Sequence, residues 1–348
     1  MAERPARGLE RLHLLVGRTL LVIDFRYHLV SIVAIFLALT VGIVLGSTVL
    51  EPMFFKSAEE MTASLRKANE SNLAQISQLQ SREEGSDSLI TAHLTDLVRG
   101  QLLGEHVLLV EAPGAPAAMR DAVEKLVTGA GGVYSGRISL TEKFIEADQA
   151  SLVDGLAATL APPGTTFPDG ASPYDKAAAI LASAVVTNDR GQAGRTNAAA
   201  AGVLEAFQSG DFLTVSGKPE ERATMAIVLA PAQPYDGEDA ERETNAVVSV
   251  AAGLDSGALG TVLAGTANAS AAGGVIEALH DTGGVASAVS TVDTLDFAAG
   301  RVVVVYALRE QLTGRSGAYG IGSGATAFEP SVTPPSQSPT PTPAGSRG

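Results

Sequence analysis

The chain has 348 residues, 45% of them hydrophobic and 18% charged, so it is long enough for a membrane anchor and one or two globular domains. Its formal net charge of −14 at pH 7 argues against a nucleic-acid-binding role, which requires a basic surface. The absence of cysteine excludes disulfides, thiolate metal sites and cysteine catalysis.

The first predicted element is an uncharged apolar run over residues 29–50. As an α-helix with a rise of about 1.5 Å per residue it would span about 33 Å, slightly more than the bilayer hydrocarbon core of about 30 Å. A buried core helix and a cleaved signal peptide are the alternatives, but the apolar region of a signal peptide is shorter, about 7–15 residues. The run therefore predicts a retained transmembrane helix that places the chain in a lipid bilayer.

One face of this helix carries small residues at every fourth position, namely Ala34, Ala38, Gly42 and Gly46. Small side chains let two helix backbones approach closely in lipid, and Gly42 and Gly46 form a GxxxG motif. Chance is an equal alternative, because the whole chain is rich in alanine and glycine. We predict that this stripe is the transmembrane face of a dimer.

The segment IDFRYHLVSIVAIFLALTVGIVLGSTVL, which starts at Ile23, resembles the opening of the actinobacterial MctB family, the copper transport outer membrane proteins. Val22 stands where members of that family have their initiator Met, so residues 1–21 would be untranslated if Val22 starts the protein. The resemblance is strongest over about residues 22–55 and continues as a weaker pattern to Tyr319 and Gly320.

The resemblance implies a single-span protein of the cell envelope and two functions of different classes. Relatives are implicated as membrane partners of another envelope protein in the control of cell-wall hydrolysis at division. That role would make this chain a binding or scaffold module with an envelope protein partner. The family name implies copper export or copper homeostasis instead.

The charges beside the apolar run predict its orientation. Five arginines precede the run, whereas Lys56, Arg66 and Lys67 follow it, so the positive-inside rule places residues 1–28 in the cytoplasm. If translation starts at Val22, only Arg26 precedes the run, and the family resemblance then carries the prediction. We expect the main domain to be extracytoplasmic, as the Pro/Ser/Thr-rich tail over 330–348, expected to be disordered, also indicates.

Residues 57–83 lack Pro and Gly and predict a short helical coiled-coil stalk. A heptad pattern puts Thr62 at its first a position, and polar residues within the pattern weaken a coiled coil but can fix its register. A solitary solvated helix is the alternative. Because the stalk follows the small-residue stripe, we predict that both pair the same two chains in a homodimer. The predicted seam consists of Leu65, Asn69, Asn72, Ile76 and Leu79.

Residues 100–325 predict a mostly parallel, Rossmann-like α/β domain. Gly85-Ser86-Asp87 is expected to break the stalk, and a short helix over about 87–102 to lead into the domain. Apolar runs such as residues 106–110 and 225–229 predict strands buried on both faces, which alternate with helical runs. The last run, 296–312, is ambiguous between a strand and a buried helix, and Asp296 as N-cap favours the helix.

The sequence contains no recognisable catalytic or cofactor motif. The segment after the first predicted strand, EAPGAPAAMR, lacks the glycine spacing of a dinucleotide-binding loop, and neither GxxxxGK nor GxSxG occurs. The GxG at Gly320-Ile321-Gly322 indicates a flexible loop, and the pair Glu220-Glu221 indicates solvated surface. We therefore predict a non-enzymatic protein with neither catalytic residues nor a cofactor.

Residues that could bind copper are few and scattered. Copper(I) prefers thiolate and thioether ligands, and imidazole also suits it. The chain has five Met and five His without Met-x-x-Met or His-x-His spacing. Met53 and Met61 follow the anchor, and His93 and His106 lie where the stalk meets the domain. Solvated or packed positions explain them more simply, so we predict no metal site, and copper as a partner rests on the family name alone.

Overall fold

The computed structural model describes residues 25–331, and the side chains of residues 48–58, 198, 285 and 286 are outside that description. The predictions for residues 1–24 and 332–348, including the start at Val22 and the disordered tail, fall outside the described residues. The chain divides into two units between Ser81 and Arg82, and each is described by itself.

The first helix, α1 (Phe25–Val98), contains the apolar run. Its part Phe25–Ser47 has a mean hydropathy of 2.8 and is long and apolar enough to cross a membrane. In the part of the chain that the structure describes, this is the one helix with that property. The prediction of a single apolar N-terminal helix is thereby confirmed for these residues.

The predicted break at Gly85-Ser86-Asp87 is wrong, because α1 continues through it to Val98. A glycine in a helix interior costs only about 1 kcal/mol relative to alanine. The residues that follow gain more than this by packing on the domain. Val98 is fully buried, and Ile90 and Leu94 pack against the same apolar core.

The rest of the described chain consists of strands and helices. The strands are β1 (His106–Glu111), β2 (Val133–Leu140), β3 (Leu213–Gly217), β4 (Met225–Leu229), β5 (Gly260–Ala264), β6 (Ser290–Val292) and β7 (Ala318–Tyr319). The helices are α2 (Ala117–Gly129), α3 (Glu142–Ile145), α4 (Ala150–Leu160), α5 (Pro173–Val185), α6 (Ala198–Ser209), α7 (Ala240–Gly257), α8 (Val275–Asp281), α9 (Gly283–Ala286) and α10 (Ala298–Gln311).

The described strands form one sheet with the order β3-β2-β1-β4-β5-β6-β7. Every neighbouring pair is parallel except β2 and β3, which are antiparallel. The central strands β4 and β5 are buried at every residue, as strands covered on both faces must be. The mostly parallel sheet is therefore confirmed, and the antiparallel β3 at its edge is a feature that the sequence pattern does not show.

Helices cover both faces of the sheet. On one face, side chains such as Leu108 and Val110 pack in a core with Phe144 of α3 and with helices α4 to α8. On the other face, Val107 and Leu109 pack with α2, α10 and the end of α1. The alternation of these strand residues between two apolar cores gives a three-layer α/β/α arrangement.

The ambiguous last run forms the helix α10, as predicted, but its N-cap is not Asp296. The N-cap residue is Phe297, whose side chain cannot accept a hydrogen bond. The N–H of Ala298 instead donates to Asp87 Oδ1, on α1. Asp87 therefore caps α10 from a distant part of the chain.

The segment Gly320-Ile321-Gly322 holds a buried carboxylate, which replaces the expected flexible loop. The N–H groups of Ile321 and Gly322 donate to the two oxygens of Asp293 at 2.9 and 2.8 Å. A Cβ at Gly320 would overlap the Asp293 carboxylate, and one at Gly322 would overlap Ser270 Oγ. The two glycines are therefore required by close approach to these side chains.

We expect Asp87→Ala to lower the free energy of unfolding of the domain by about 1 kcal/mol, because it leaves the first N–H of α10 without its partner. Asp87→Asn keeps an oxygen acceptor at the same place and should cost clearly less. Asp96→Ala is the matched control, since its ion pair with Arg99 is exposed at the end of α1. Urea unfolding followed by circular dichroism measures all three, and equal losses for Asp87→Ala and Asp96→Ala would contradict the capping role.

Candidate functional site

A large crevice lies at the carboxyl ends of β1 and β4. These strands are neighbours, but β1 connects to β2 on one side and β4 to β5 on the other. The loops that follow them therefore diverge, and ligands of open α/β sheets bind at such switch points. The crevice has a volume of about 540 Å³ and is lined by both loops, by α3 and by Glu243 of α7.

Apolar side chains form the walls of this crevice. Pro113 comes from the loop after β1, and Pro231, Pro234 and Tyr235 come from the loop after β4. The Tyr235 hydroxyl donates to the Pro113 carbonyl oxygen at 3.0 Å, so the two loops are tied together. Burial, followed by the charges of Glu243 and Glu142, raises the pKa of Tyr235, which keeps the phenol protonated in this role.

Four carboxylates also line the crevice, and none of them has an ion pair or a side-chain hydrogen bond among the described residues. They are Glu142, Glu146, Asp236 and Glu243. Burial raises the pKa of Glu243, and the negative charges of Asp239, Asp236, Glu146 and Glu142 raise it further. These side chains repel one another, so the crevice favours a positively charged group.

A second crevice, of about 320 Å³, lies on the other side of Tyr235. Its lining includes Glu241, Glu277 and Asp281. Negative charge therefore extends along the carboxyl edge of the sheet over both crevices, and one small cation could not neutralise all of it. An extended cationic group would match this edge better than a single ion.

The residues of the predicted transmembrane face lie on the surface of α1. Ala34, Ala38 and Gly42 are exposed and Gly46 is half-buried. A Cβ added at Gly42 or Gly46 would meet no atom within 4 Å, so nothing within the described chain occupies this stripe. Pairing with a second chain through it stays a prediction.

The predicted seam residues are exposed on α1 as well, among them Asn69 and Asn72. Leu65 is 63% exposed, Ile76 50% and Leu79 61%. Isolated apolar residues on a surface are common, but a row of them on one helix face is typical of a helix that pairs. The structure brings the seam residues onto one helix and leaves their pairing untested.

The described methionines and histidines lie at scattered positions in the fold. Among the described residues there is no group of three or more His, Cys, Asp or Glu side chains that could hold a metal ion. Met119 and Met225 are buried in the apolar core. His93 is exposed on α1, whereas the ring of His106 contacts Gly194. Met61 is exposed, and the side chain of Met53 is outside the described residues.

The acidic crevice was missed in the sequence. The pair Glu220-Glu221, interpreted as solvated surface, lies elsewhere, and Glu221 pairs with Lys218 at 2.9 Å. A usable signal was present, because Glu142 and Asp236 follow the ends of two apolar strands, where the carboxyl edge of a parallel sheet is expected. The sequence alone does not place Glu243 beside Glu142 and Asp236, because its position depends on how α7 packs on the sheet.

Comparison with known proteins gives one consistent result. The family described as "Copper transport outer membrane protein, MctB" matches residues 22–330. Proteins named "Copper transporter MctB" from Mycobacterium tuberculosis (strain ATCC 25618 / H37Rv) and Mycobacterium bovis (strain ATCC BAA-935 / AF2122/97) are 31% identical over 320 residues, covering 87% of this chain and 98% of each relative. The protein of that name from Mycobacterium leprae (strain TN) is 28% identical over 320 residues, with coverages of 88% and 98%.

We expect Glu243→Gln to stabilise the domain at pH 7.5 and to have no such effect near pH 4. The pKa of Glu243 is raised in the folded state, so its charge costs stability as the pH rises above the ordinary value of 4.5, and Gln removes that cost. Thermal unfolding at several pH values measures the difference between variant and wild type. Glu205→Gln, exposed on α6, is the control, and a Glu243→Gln effect that does not change with pH would contradict the repulsion.

Proposed function

Because the chain belongs to the MctB family, we propose that this membrane protein of the cell envelope is a non-enzymatic binding and scaffold module. In this proposal two copies pair through α1, and the α/β domain binds an envelope protein partner. The control of cell-wall hydrolysis with that partner is part of the proposal, and the family resemblance supports it.

The observation that carries the proposal is the continuity of α1. One helix contains the apolar segment Phe25–Ser47, then the exposed row of Leu65, Ile76 and Leu79, and then the turns that pack on the domain. Two weak pairing surfaces on one helix reinforce each other, since pairing at one raises the effective concentration of the other. An unbroken helix of this kind supports a homodimer better than either surface alone.

The acidic crevice supports a partner with a positively charged segment. Its four carboxylates, which have no ion pair within residues 25–331, would be neutralised by lysine or arginine side chains. Its proline and tyrosine walls would contact the aliphatic stems of those side chains. In our proposal the apolar segment is a single-pass anchor, with the N-terminus cytoplasmic and the domain extracytoplasmic. The charges around the anchor and the family resemblance support this orientation.

Copper transport, efflux or homeostasis is the second candidate function. The family description and the names of the relatives favour it. Among the described residues, no group of three or more His, Cys, Asp or Glu side chains could hold the metal, so copper transport by this chain would depend on other ligands or on other proteins. The two candidates make different predictions for metal binding.

The pairing of two chains can be tested by disulfide formation, because the chain has no cysteine of its own. We expect Asn72→Cys, in the proposed seam, to form a disulfide-linked dimer in membranes after mild oxidation. Ala74→Cys is the matched control, since residue 74 lies about 200° around the helix from residue 72 and faces away from the seam. Equal cross-linking of both variants, or none of Asn72→Cys, would contradict the seam.

Disulfide formation at Asn72→Cys also measures how much the anchor and the stalk each contribute to the dimer. Replacing Gly42 and Gly46 with Ile, or Leu65, Ile76 and Leu79 with Lys, should each reduce the dimer. Both sets together should abolish it, because neither surface then supports the other. An undiminished dimer in the combined variant would overturn the proposed architecture.

For copper, we expect full-length protein in detergent to show no tight stoichiometric binding of Cu(I) against a competing chelator. The reason is the absence of cysteine and the scattered positions of methionine and histidine. His93→Ala and His106→Ala should leave the titration unchanged. Tight binding that either variant removes would favour the copper function over the scaffold.

A further inference from the structure

A small polar cavity lies at the amino edge of the sheet, opposite to the acidic crevice. Three chain segments that lead into parallel strands surround it: residues 258–259 before β5, 287–288 before β6, and 314–316 before β7. Asp255, near the end of α7, and Gln311 of α10 complete the lining. Its volume is about 190 Å³, or about six water molecules at about 30 Å³ each.

Gln311 gives this cavity a fixed wall. Its Oε1 accepts from the N–H of Thr261, and its Nε2 donates to the Thr261 carbonyl at 2.8 Å and to Ser290 Oγ at 2.8 Å. The Gln311 amide thus pairs with Thr261 of β5. The pairing of β5 with β6 begins at the next residue, Val262. Because these bonds use the amide fully, Gln311 shapes the cavity and is not available to a ligand.

Asp255 supplies a negative group to the cavity. It has no cationic partner and no hydrogen bond to another side chain among the described residues. Burial raises its pKa to about 6. The carboxylate also lies near the carboxyl end of the 18-residue helix α7, where the helix dipole is negative. Both features make a positively charged group favourable beside it.

Arg315 supplies the opposite charge. Its side chain is 54% exposed, and its guanidinium lies 3.4 Å from Glu310 Oε1, which is a long contact for an ion pair. A guanidinium has five N–H donors, so most of them stay available. The cavity therefore combines an unpaired carboxylate from α7 with an incompletely paired guanidinium from the loop after α10.

We propose that this cavity binds a small zwitterion, an amino acid of the size of glycine or alanine. Its ammonium group meets Asp255, and its carboxylate meets Arg315. A simple cation would add repulsion to Arg315, and a simple anion would add repulsion to Asp255, whereas a zwitterion satisfies both. This site is separate from the acidic crevice and does not depend on the scaffold function.

Isothermal titration of full-length protein in detergent with glycine and with alanine tests the proposal. We expect saturable binding of at least one of them. N-acetylglycine, which lacks the ammonium group, and ethylamine, which lacks the carboxylate, should each bind at least about tenfold more weakly, the effect of one lost charged hydrogen bond.

Asp255→Asn and Arg315→Gln should each weaken binding of the amino acid by about tenfold or more. Asp96→Asn with Arg99→Gln, an exposed ion pair elsewhere, is the matched control and should bind as wild type does. Circular dichroism of each variant serves as the control for folding. Absence of saturable binding overturns the proposal, and so does unchanged affinity in both cavity variants. Binding of N-acetylglycine as tight as that of glycine would show an anion site and would also overturn it.

Discussion

The contact between the end of α1 and α10 is the interaction on which the rest of the architecture depends. Asp87 caps α10, Ile90 and Leu94 pack on the core, and the Tyr306 hydroxyl donates to the Leu97 carbonyl at 3.1 Å. These contacts hold the last turns of α1 as part of the domain. A long helix that was free at this end would be stabilised only by its own weak propensity. The same helix contains the apolar segment and the row of exposed residues that we propose as a pairing surface.

The order of the strands gives the domain two edges of different chemistry. At the carboxyl edge, Glu142, Asp236 and Glu243 line one crevice, and no ion pair to them occurs within the described part of the chain. At the amino edge, short segments before β5, β6 and β7 enclose one carboxylate and one guanidinium. Neither set is needed for the apolar cores, which Val110, Val228 and their neighbours complete. Unneutralised charge therefore remains where a parallel sheet has room for ligands.

Sequence patterns predicted the parts of the fold that depend on neighbouring residues. The strand β4 and the helix α10 are recognisable because their burial shows in unbroken apolar runs. The mistakes concern residues whose role is set by distant contacts. Asp87 is predicted to break a helix but caps another helix. Asp296 is predicted to be an N-cap, whereas the N-cap of α10 is Phe297. Gly320 is predicted to be flexible but lies directly against the Asp293 carboxylate. Local propensity cannot reveal a partner as remote in the chain as Ala298 is from Asp87.

The same reasoning separates the two kinds of candidate site. The faces of α1 are periodic in sequence, so Gly42 and Gly46, or Leu65 and Ile76, can be selected from the order of the residues alone. The crevice carboxylates come from segments that are far apart in the chain, and the pairing of β1 with both β2 and β4 brings those segments together. The proposed pairing surfaces can therefore be selected from the sequence of one helix, whereas the crevice arises from the order of the strands. Substitutions in the segments after β2 and β4 can therefore change the charge of the crevice while the pattern of α1 stays the same.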